Sequence, residues 1–391
     1  MQHLLSSHGL KGDHKWKVLH MRSSAHFVGL ERLLLQLVVP LRREGFDIEL
    51  MVLYRRGDSM SSLHPLVVEA RRRGVKAEQL DGGPRFPLRG VLYVANKLRK
   101  EGFSVLHTHD YKTDLLGLLA AGLARIPCVA TVHGYVFVSR RLRIYRMLDL
   151  LVLRFFSRVI TVSEELRQQL LTAGLRGERV ITVHNAIDPV AFISQGTQSI
   201  SWLRQQLGIG RDQPLIATVG RLIPGKGHRY FLAAAKQVLQ ARPEARFLVV
   251  GEGPLRGKLE ALSAALGIQH AVSFLGFRQD VAALMEASDL IVLPSLEEGQ
   301  PVVLLEALAL AKPVVATAVG GVSEVVRHKE TGLLVPPRDS DELARAMLYL
   351  LDHPDEGARM GQKGQEVVAR DFTVEAMAEK TAAVYRQILA R

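Results

Sequence analysis

Cysteine is almost missing from this chain: Cys128 is the one thiol in 391 residues. An internal disulfide is therefore excluded, and a reducing compartment is expected. With no second cysteine and no spaced Cys/His set, Cys128 in "IPCVATV" reads as a core residue, and no metal site is expected. Apolar runs of membrane-spanning length are absent too, so no transmembrane helix is predicted. The first residues, "MQHLLSSHGLKGDHKWK", lack the apolar core of a signal peptide, which predicts a cytoplasmic protein. Aromatic residues make up only 6% of the chain, and no basic segment is interleaved with them, which argues against nucleic-acid binding. No G-x-G-x-x-G follows the first strand-like run, "WKVLHM", which argues against a dinucleotide-dependent dehydrogenase.

The charge is +12 overall and unevenly placed. Residues 1–190 hold 29 Lys+Arg against 17 Asp+Glu, while residues 191–391 hold 22 of each. The excess suggests an anionic partner for the first half, either a membrane surface or nucleic acid, or simply a solvated basic face. Strand-like runs alternate with helix-length stretches twice over. The first series is "WKVLHM", "DIELMVL", "SVLHTH", "PCVATVHG" and "RVITVS"; the second runs from "LIATVG" through "ARFLVVG", "VSFLG", "LIVLPS" and "PVVAT" to "GLLVP". Such β-branched runs bounded by Gly and Pro predict two doubly wound, Rossmann-like α/β domains with parallel sheets. Each would bind ligands at the carboxyl ends of its strands. The expected boundaries are 1–190, 191–371 and a last helix, 372–391, that folds back to tie the halves together. The seam falls in "HNAIDPVAFISQGTQSI".

Two stretches carry the chemistry. "GRLIPGKG", Gly220 to Gly227, keeps P-loop spacing up to Lys226 but then has Gly227 where a Mg²⁺-ligating Ser or Thr is required. A Gly-rich turn behind a strand lets backbone N–H groups approach an anion, and Arg221 and Lys226 add positive charge. A plain strand–helix turn has the same pattern. "PSLEEGQPVVLLEALA" places Glu298 in a loop and Glu306 on the helix that Pro301 opens. Two carboxylates beside a helix N-terminus suit a ligand with vicinal hydroxyls and phosphate, such as a ribose and a hexose joined by a diphosphate.

With these residues the chain resembles the retaining glycosyltransferases of family 4, which have the GT-B architecture of two Rossmann-like domains facing each other across a cleft. The frame E-G-x-x-x-x-x-x-E is matched by Glu298–Glu306, and G-R-x-x-x-x-K-G by Gly220, Arg221, Lys226 and Gly227. "VVGEGPLRGKLE", "ASDLIVLPS", "PVVATAVGGVSEVV", "TVHG", "ITVSEEL" and "HNAID" extend the likeness over about residues 16–390. Val28 and Ala186 stand where the family has glycine.

The resemblance implies sugar transfer from a nucleotide-diphosphate sugar to a glycan or lipid-linked acceptor, of cell-envelope or exopolysaccharide type. The donor is a co-substrate; no cofactor or metal is implied. His133, Arg221, Lys226 and Glu298 would act in catalysis. Arg221 and Lys226 would hold the diphosphate, Glu306 the ribose and Glu298 the transferred sugar. Gly220, Gly251, Gly299, Gln300, Pro301 and Val302 would complete the donor cradle, His133 would face the donor sugar, and Gly29 would lie in a loop near the phosphates. Front-face displacement with retained configuration is the implied chemistry. A sugar-nucleotide epimerase of the same architecture is the enzyme alternative; a phosphorylase would need a lysine-bound pyridoxal cofactor, for which no distinctive motif occurs.

The remaining motifs read more simply. "DSD" at 339–341 is expected to be a helix N-cap. His107 and His109 alternate along a strand end and are expected on opposite faces, against a metal pair. Asp110 and Lys112, just after that strand, are acceptor-side candidates, or else a helix N-cap and a solvated lysine. Residues 139–159 are expected to form one helix, with Arg140, Arg143, Arg146, Arg154 and Arg158 on a shared arc. With "RRRGVK" and "RFPLR" it could lie on an anionic membrane at the inner face of the plasma membrane, or its apolar face could pack on the sheet.

Overall fold

Apolar residues occupy successive positions in most strands of this chain, so its sheets must be covered on both faces. The computed structural model describes residues 16–24, 29–54, 63–81, 86–134, 140–194 and 199–390. The first sheet takes β1 (Trp16–Ser23), β2 (Phe46–Tyr54), β3 (Ala77–Asp81), β4 (Val105–Thr108), β5 (Cys128–Val132), β6 (Arg158–Thr161) and β7 (Val180–Thr182). Between them run α1 (Gly29–Arg43), α2 (Pro65–Arg72), α3 (Phe86–Lys100), α4 (Tyr111–Ala124), α5 (Arg140–Leu153) and α6 (Glu164–Thr172). The strand order is β3-β2-β1-β4-β5-β6-β7.

Two short helices, α7 (Pro189–Ile193) and α8 (Ile200–Gln206), precede the second sheet. It takes β8 (Leu215–Val219), β9 (Arg246–Val250), β10 (Val272–Gly276), β11 (Leu290–Leu293), β12 (Val314–Thr317) and β13 (Leu333–Val335). Its connections are α9 (His228–Ala241), α10 (Arg256–Ala265), α11 (Val281–Ala287), α12 (Val302–Ala309) and α13 (Val322–Val325). The chain closes with α14 (Ser340–Asp352), α15 (Pro354–Asp371) and α16 (Val374–Leu389). The order is β10-β9-β8-β11-β12-β13, with parallel neighbours throughout.

The second sheet shows why unbroken apolar runs were needed. Leu215, Ala217, Leu248, Val250, Ile291 and Leu293 pack into the core on one face. Ile216, Phe247, Val249, Leu290 and Val292 pack into the core on the other. Successive side chains thus enter different cores, as the two-residue period of a strand requires. By internal packing the chain separates into two compact units. One holds residues 1–130, 155–158 and 378–391; the other holds 131–154 and 159–377.

Several sequence expectations change. β3 and β7, both at the edges of the first sheet, were not anticipated: "AEQLD" is polar, and "VIT" is only three residues long. The expected helix over 139–159 ends at Leu153, and Arg158 begins β6 with its side chain buried. Arg158 therefore shares no helical arc with the other arginines. Ile144, Met147, Leu148 and Leu151 of α5 are exposed, so this face does not pack on the sheet. Cys128 is buried in β5, as expected. Among the described residues no helix is long and apolar enough to cross a membrane.

Phe247 on β9 meets Phe231 on α9 edge to face, with ring centroids 5.9 Å apart, and neither ring is exposed. Phe247→Ala is expected to cost about 3–5 kcal/mol in denaturant unfolding. A coupling with Phe231→Ala of about 0.5–1.5 kcal/mol is expected in a double-mutant cycle. A loss no larger than surface substitutions give would contradict this packing.

Candidate functional site

In the second sheet the strand order reverses between β8 and β11, and the loops leaving their carboxyl ends lie side by side. Such a reversal opens a crevice for ligands. The loop after β8 is Gly220–Gly227; the loop after β11 runs from Pro294 to Pro301. They touch through main chain: the Leu296 N–H donates to the Gly225 carbonyl at 2.8 Å. Gly227 has φ +65°, and a Cβ there would stand 1.8 Å from the Pro294 carbonyl oxygen, so glycine alone fits. The Gly220 N–H donates to Val250 and the Gly251 N–H to Gly276, each at 2.9 Å, which ties the glycine turn to the neighbouring strand ends.

This contact brings together two of the four expected catalytic groups, Lys226 and Glu298. Lys226 Nζ lies 2.6 Å from Glu298 Oε1, with side chains 22% and 7% exposed. Ser295 Oγ donates to the same oxygen at 2.6 Å. The sequence placed Lys226 on phosphate and Glu298 on sugar; it did not anticipate that the two pair with each other. Ser295 itself was missed, although it lies three residues before Glu298 in the loop already singled out. Arg221 is exposed, and His228, the first residue of α9, is buried. Burial, assisted by the Lys226 charge, lowers the His228 pKa to about 4, so its imidazole is neutral near pH 7.

Beyond Glu298 the chain is held closely. A Cβ on Gly299 would stand 2.0 Å from the His133 carbonyl oxygen, so the segment after β5 lies directly against this loop. The Gly299 carbonyl accepts from the Gly321 N–H at 2.8 Å. Gln300 is buried, and its carbonyl accepts from Asn185 Nδ2 at 3.0 Å while its side-chain oxygen accepts from the Asn185 N–H. Pro301 is the residue before α12, where its missing N–H costs nothing. Val302 opens α12, and Glu306 is half-buried on that helix. His133, Gly220, Lys226, Gly251, Glu298, Gly299, Gln300, Pro301, Val302 and Glu306 thus belong to one compact unit.

A second carboxylate, unassigned by the sequence, braces the same unit. Glu324 accepts from the N–H groups of Glu164 and Glu165 at the start of α6, at 2.9 and 3.1 Å. It also lies 2.7 Å from His184 Nε2. A lone carboxylate in "GGVSEVV" was the available signal.

Other candidates are placed differently. Gly29 is the first residue of α1 and not a loop residue; residues 25–28, Val28 included, lie outside the described residues. Asp110 is the N-cap of α4, accepting from Lys112 and Thr113, and its carboxylate also accepts from the Ser23 N–H at 2.6 Å. Lys112 is exposed. Asp339 caps α14 as expected, accepting from Asp341 and Glu342. His107 and His109 do not point to opposite faces: β4 ends at Thr108, the alternation stops there, and the rings stack with centroids 4.4 Å apart.

Known proteins resemble the chain along its length. The family model "Glycosyltransferase Family 4" matches residues 27–190, and "Glycosyl transferases group 1" matches 200–367. The UDP-Gal:alpha-D-GlcNAc-diphosphoundecaprenol alpha-1,3-galactosyltransferase of Escherichia coli is 28% identical over 88% of this chain and 90% of that protein. A D-inositol 3-phosphate glycosyltransferase of Corynebacterium efficiens is 28% identical over 73% of this chain and 71% of that protein. Among solved structures, Anabaena HepE in complex with UDP-glucose superposes with a TM-score of 0.80 at 25% identity, covering 95% of this chain and 99% of that one.

The brace at Glu324 sets a pH dependence. Burial alone would raise its pKa; His184 and the two N–H groups outweigh this and hold it below the ordinary 4.5. A carboxyl lowered on folding stabilises the protein above its unfolded pKa, and that contribution is lost as pH falls through the folded value. Thermal melts of the native protein and Glu324→Gln should therefore differ most near neutral pH. The gap should close as pH drops below about 4.5. A gap constant across that window would contradict the assignment.

Proposed function

The chain is a nucleotide-sugar glycosyltransferase of the GT-B architecture, and we propose that it moves a hexosyl unit, with retained configuration, onto a lipid-linked or glycan acceptor. One observation carries the reading of the site: the Lys226–Glu298 pair at the sheet reversal. On donor binding the diphosphate takes Lys226, and Glu298 is released to accept hydrogen bonds from the sugar hydroxyls. Arg221 and the N-terminus of α12 then stabilise the departing diphosphate. Glu306 holds the ribose, while Gly220, Gly251, Gly299, Gln300, Pro301 and Val302 shape the cradle, and His133 faces the sugar. Gly227 in place of Ser or Thr supports transfer that proceeds without added Mg²⁺ or Mn²⁺ and without a cofactor. Residues 191–371 supply the donor side and residues 1–190 the acceptor side, where Asp110 acts as a helix cap and Lys112 remains an acceptor candidate.

The acceptor class is supported by the Escherichia coli relative, named for a diphosphoundecaprenol-linked substrate. A lipid-linked acceptor calls for an enzyme at the membrane surface, here the inner face of the plasma membrane, in cell-envelope polysaccharide synthesis. Exposed apolar side chains on α5 and α4 support such peripheral docking. On α5, Met147 is 70% exposed and Ile144 57% exposed. On α4, Tyr111, Leu115, Leu119 and Leu123 are exposed at four-residue spacing. Beside α4, a groove of about 520 Å³ on α3 is lined by Arg89, Leu92, Tyr93, Asn96 and Arg99.

Lys226→Ala and Glu306→Ala should each reduce transfer by on the order of 2–4 kcal/mol, or about 30- to 900-fold, in chains that still unfold in a cooperative melt. The donor is identified first by thermal shift against UDP-, GDP- and ADP-sugars, and rates near native in both variants would remove the donor-site assignment. Sedimentation with vesicles checks the docking. Binding should require anionic lipid, weaken with salt, and fall when Met147 and Leu151 become Ser or Arg146 and Arg154 become Gln. Equal recovery with neutral vesicles would refute it.

A further inference from the structure

The first sheet has its own order reversal, between β1 and β4, and three histidines gather there. His20 and His107 pair across the two strands in register. His109 follows β4 by one residue, and its Nε2 lies 2.9 Å from His20 Nδ1. Tyr385 of α16 covers the group, its hydroxyl 2.5 Å from His107 Nδ1 and 3.1 Å from His20 Nε2. All four side chains are buried, and one nitrogen from each histidine lies within 4.8 Å of the other two.

We propose that His20, His107 and His109, with the Tyr385 oxygen as fourth donor, bind one divalent transition ion that fastens the last turns of α16 to the first sheet. Imidazole ligands suit Zn²⁺, Co²⁺, Ni²⁺ or Cu²⁺, whereas Mg²⁺ and Ca²⁺ demand oxygen. At metal–nitrogen distances near 2.0–2.1 Å, tetrahedral ligand atoms stand about 3.3 Å apart. The His20 Nδ1–His109 Nε2 contact is already close to that, but Tyr385 contacts the other nitrogen of His20, so all four donors converge on one ion only after the rings turn. The Tyr385 phenol, which burial otherwise keeps protonated, would release its proton on ligation and offset one of the ion's two charges. The rings of His20 and His107 lie within 20° and 27° of the His109 plane, so ion capture turns at least one ring out of this stack.

Protons can occupy the same cluster. A neutral chain running from His109 Nε2–H to His20, from His20 Nε2–H to the Tyr385 oxygen, and from the Tyr385 hydroxyl to His107 satisfies every contact given above. None of the four ligands is among the residues assigned above to the donor. The test uses the full, tag-free chain, dialysed against Zn²⁺ for elemental analysis and titrated with Co²⁺ under visible absorption. One ion per chain is expected, with the intense bands of four-coordinate Co²⁺ and a melting temperature raised by Zn²⁺. His109→Gln should lose all three signals. Tyr385→Phe, which keeps the buried ring, should retain the ion with a shifted spectrum. Substoichiometric uptake by the native chain, or uptake unchanged in His109→Gln, would overturn the site and leave the proton chain. If His109→Gln does not fold, a Co²⁺ spectrum identical in Tyr385→Phe and the native chain would overturn the site with its fourth donor.

Discussion

Main chain pressed against main chain, with no room for a Cβ, is the constraint on which the proposed donor site depends. Gly227 runs under the Pro294 carbonyl, and Gly299 runs against the carbonyl of His133. A side chain at either position would force loops apart that arrive from different strands. Glycine loses more freedom on folding than other residues. That loss is accepted here because the closeness it permits is what places Lys226 beside Glu298 and sets the start of α12.

The Lys226–Glu298 pair is mostly enclosed, and Ser295 completes its hydrogen bonding. Enclosed charges cost desolvation that their attraction only partly returns. A pair in that condition is open to exchange: a diphosphate offers Lys226 more negative charge than one carboxylate, and sugar hydroxyls offer Glu298 new donors. On the reading proposed above, the site holds its own charges in reserve for a ligand anionic at one end and hydroxyl-rich at the other.

Much of this was legible in the sequence, and the exceptions share a cause. The second sheet could be read because its strands are apolar on both faces, and the loop position of Glu298 and the helical position of Glu306 because a Gly-Pro loop and an apolar helix frame them. β3 and β7 could not, since an edge strand needs neither length nor two apolar faces. Alternation misplaced His109 because the rule holds only while the strand lasts, and β4 ends one residue earlier. The arginine-rich segment ran past its helix because Arg154 and Arg158 continue the charge pattern through a turn into β6. Glu324 was invisible for a different reason: its partner His184 is 140 residues away, and no local pattern encodes that distance.

Tyr385 has a bearing on how the protein is made. It is fully buried, and its ring meets Phe46 edge to face at 5.2 Å, more than three hundred residues earlier in the chain. A ribosome delivers Phe46 and His20 long before it delivers their cover. The unit built from residues 131–154 and 159–377 is complete in sequence while the first 130 residues still lack residues 378–391. Domains commonly mature from the amino terminus onward during synthesis. Here the order is reversed: His20 and Phe46 gain their cover only once residues 378–391 have been made.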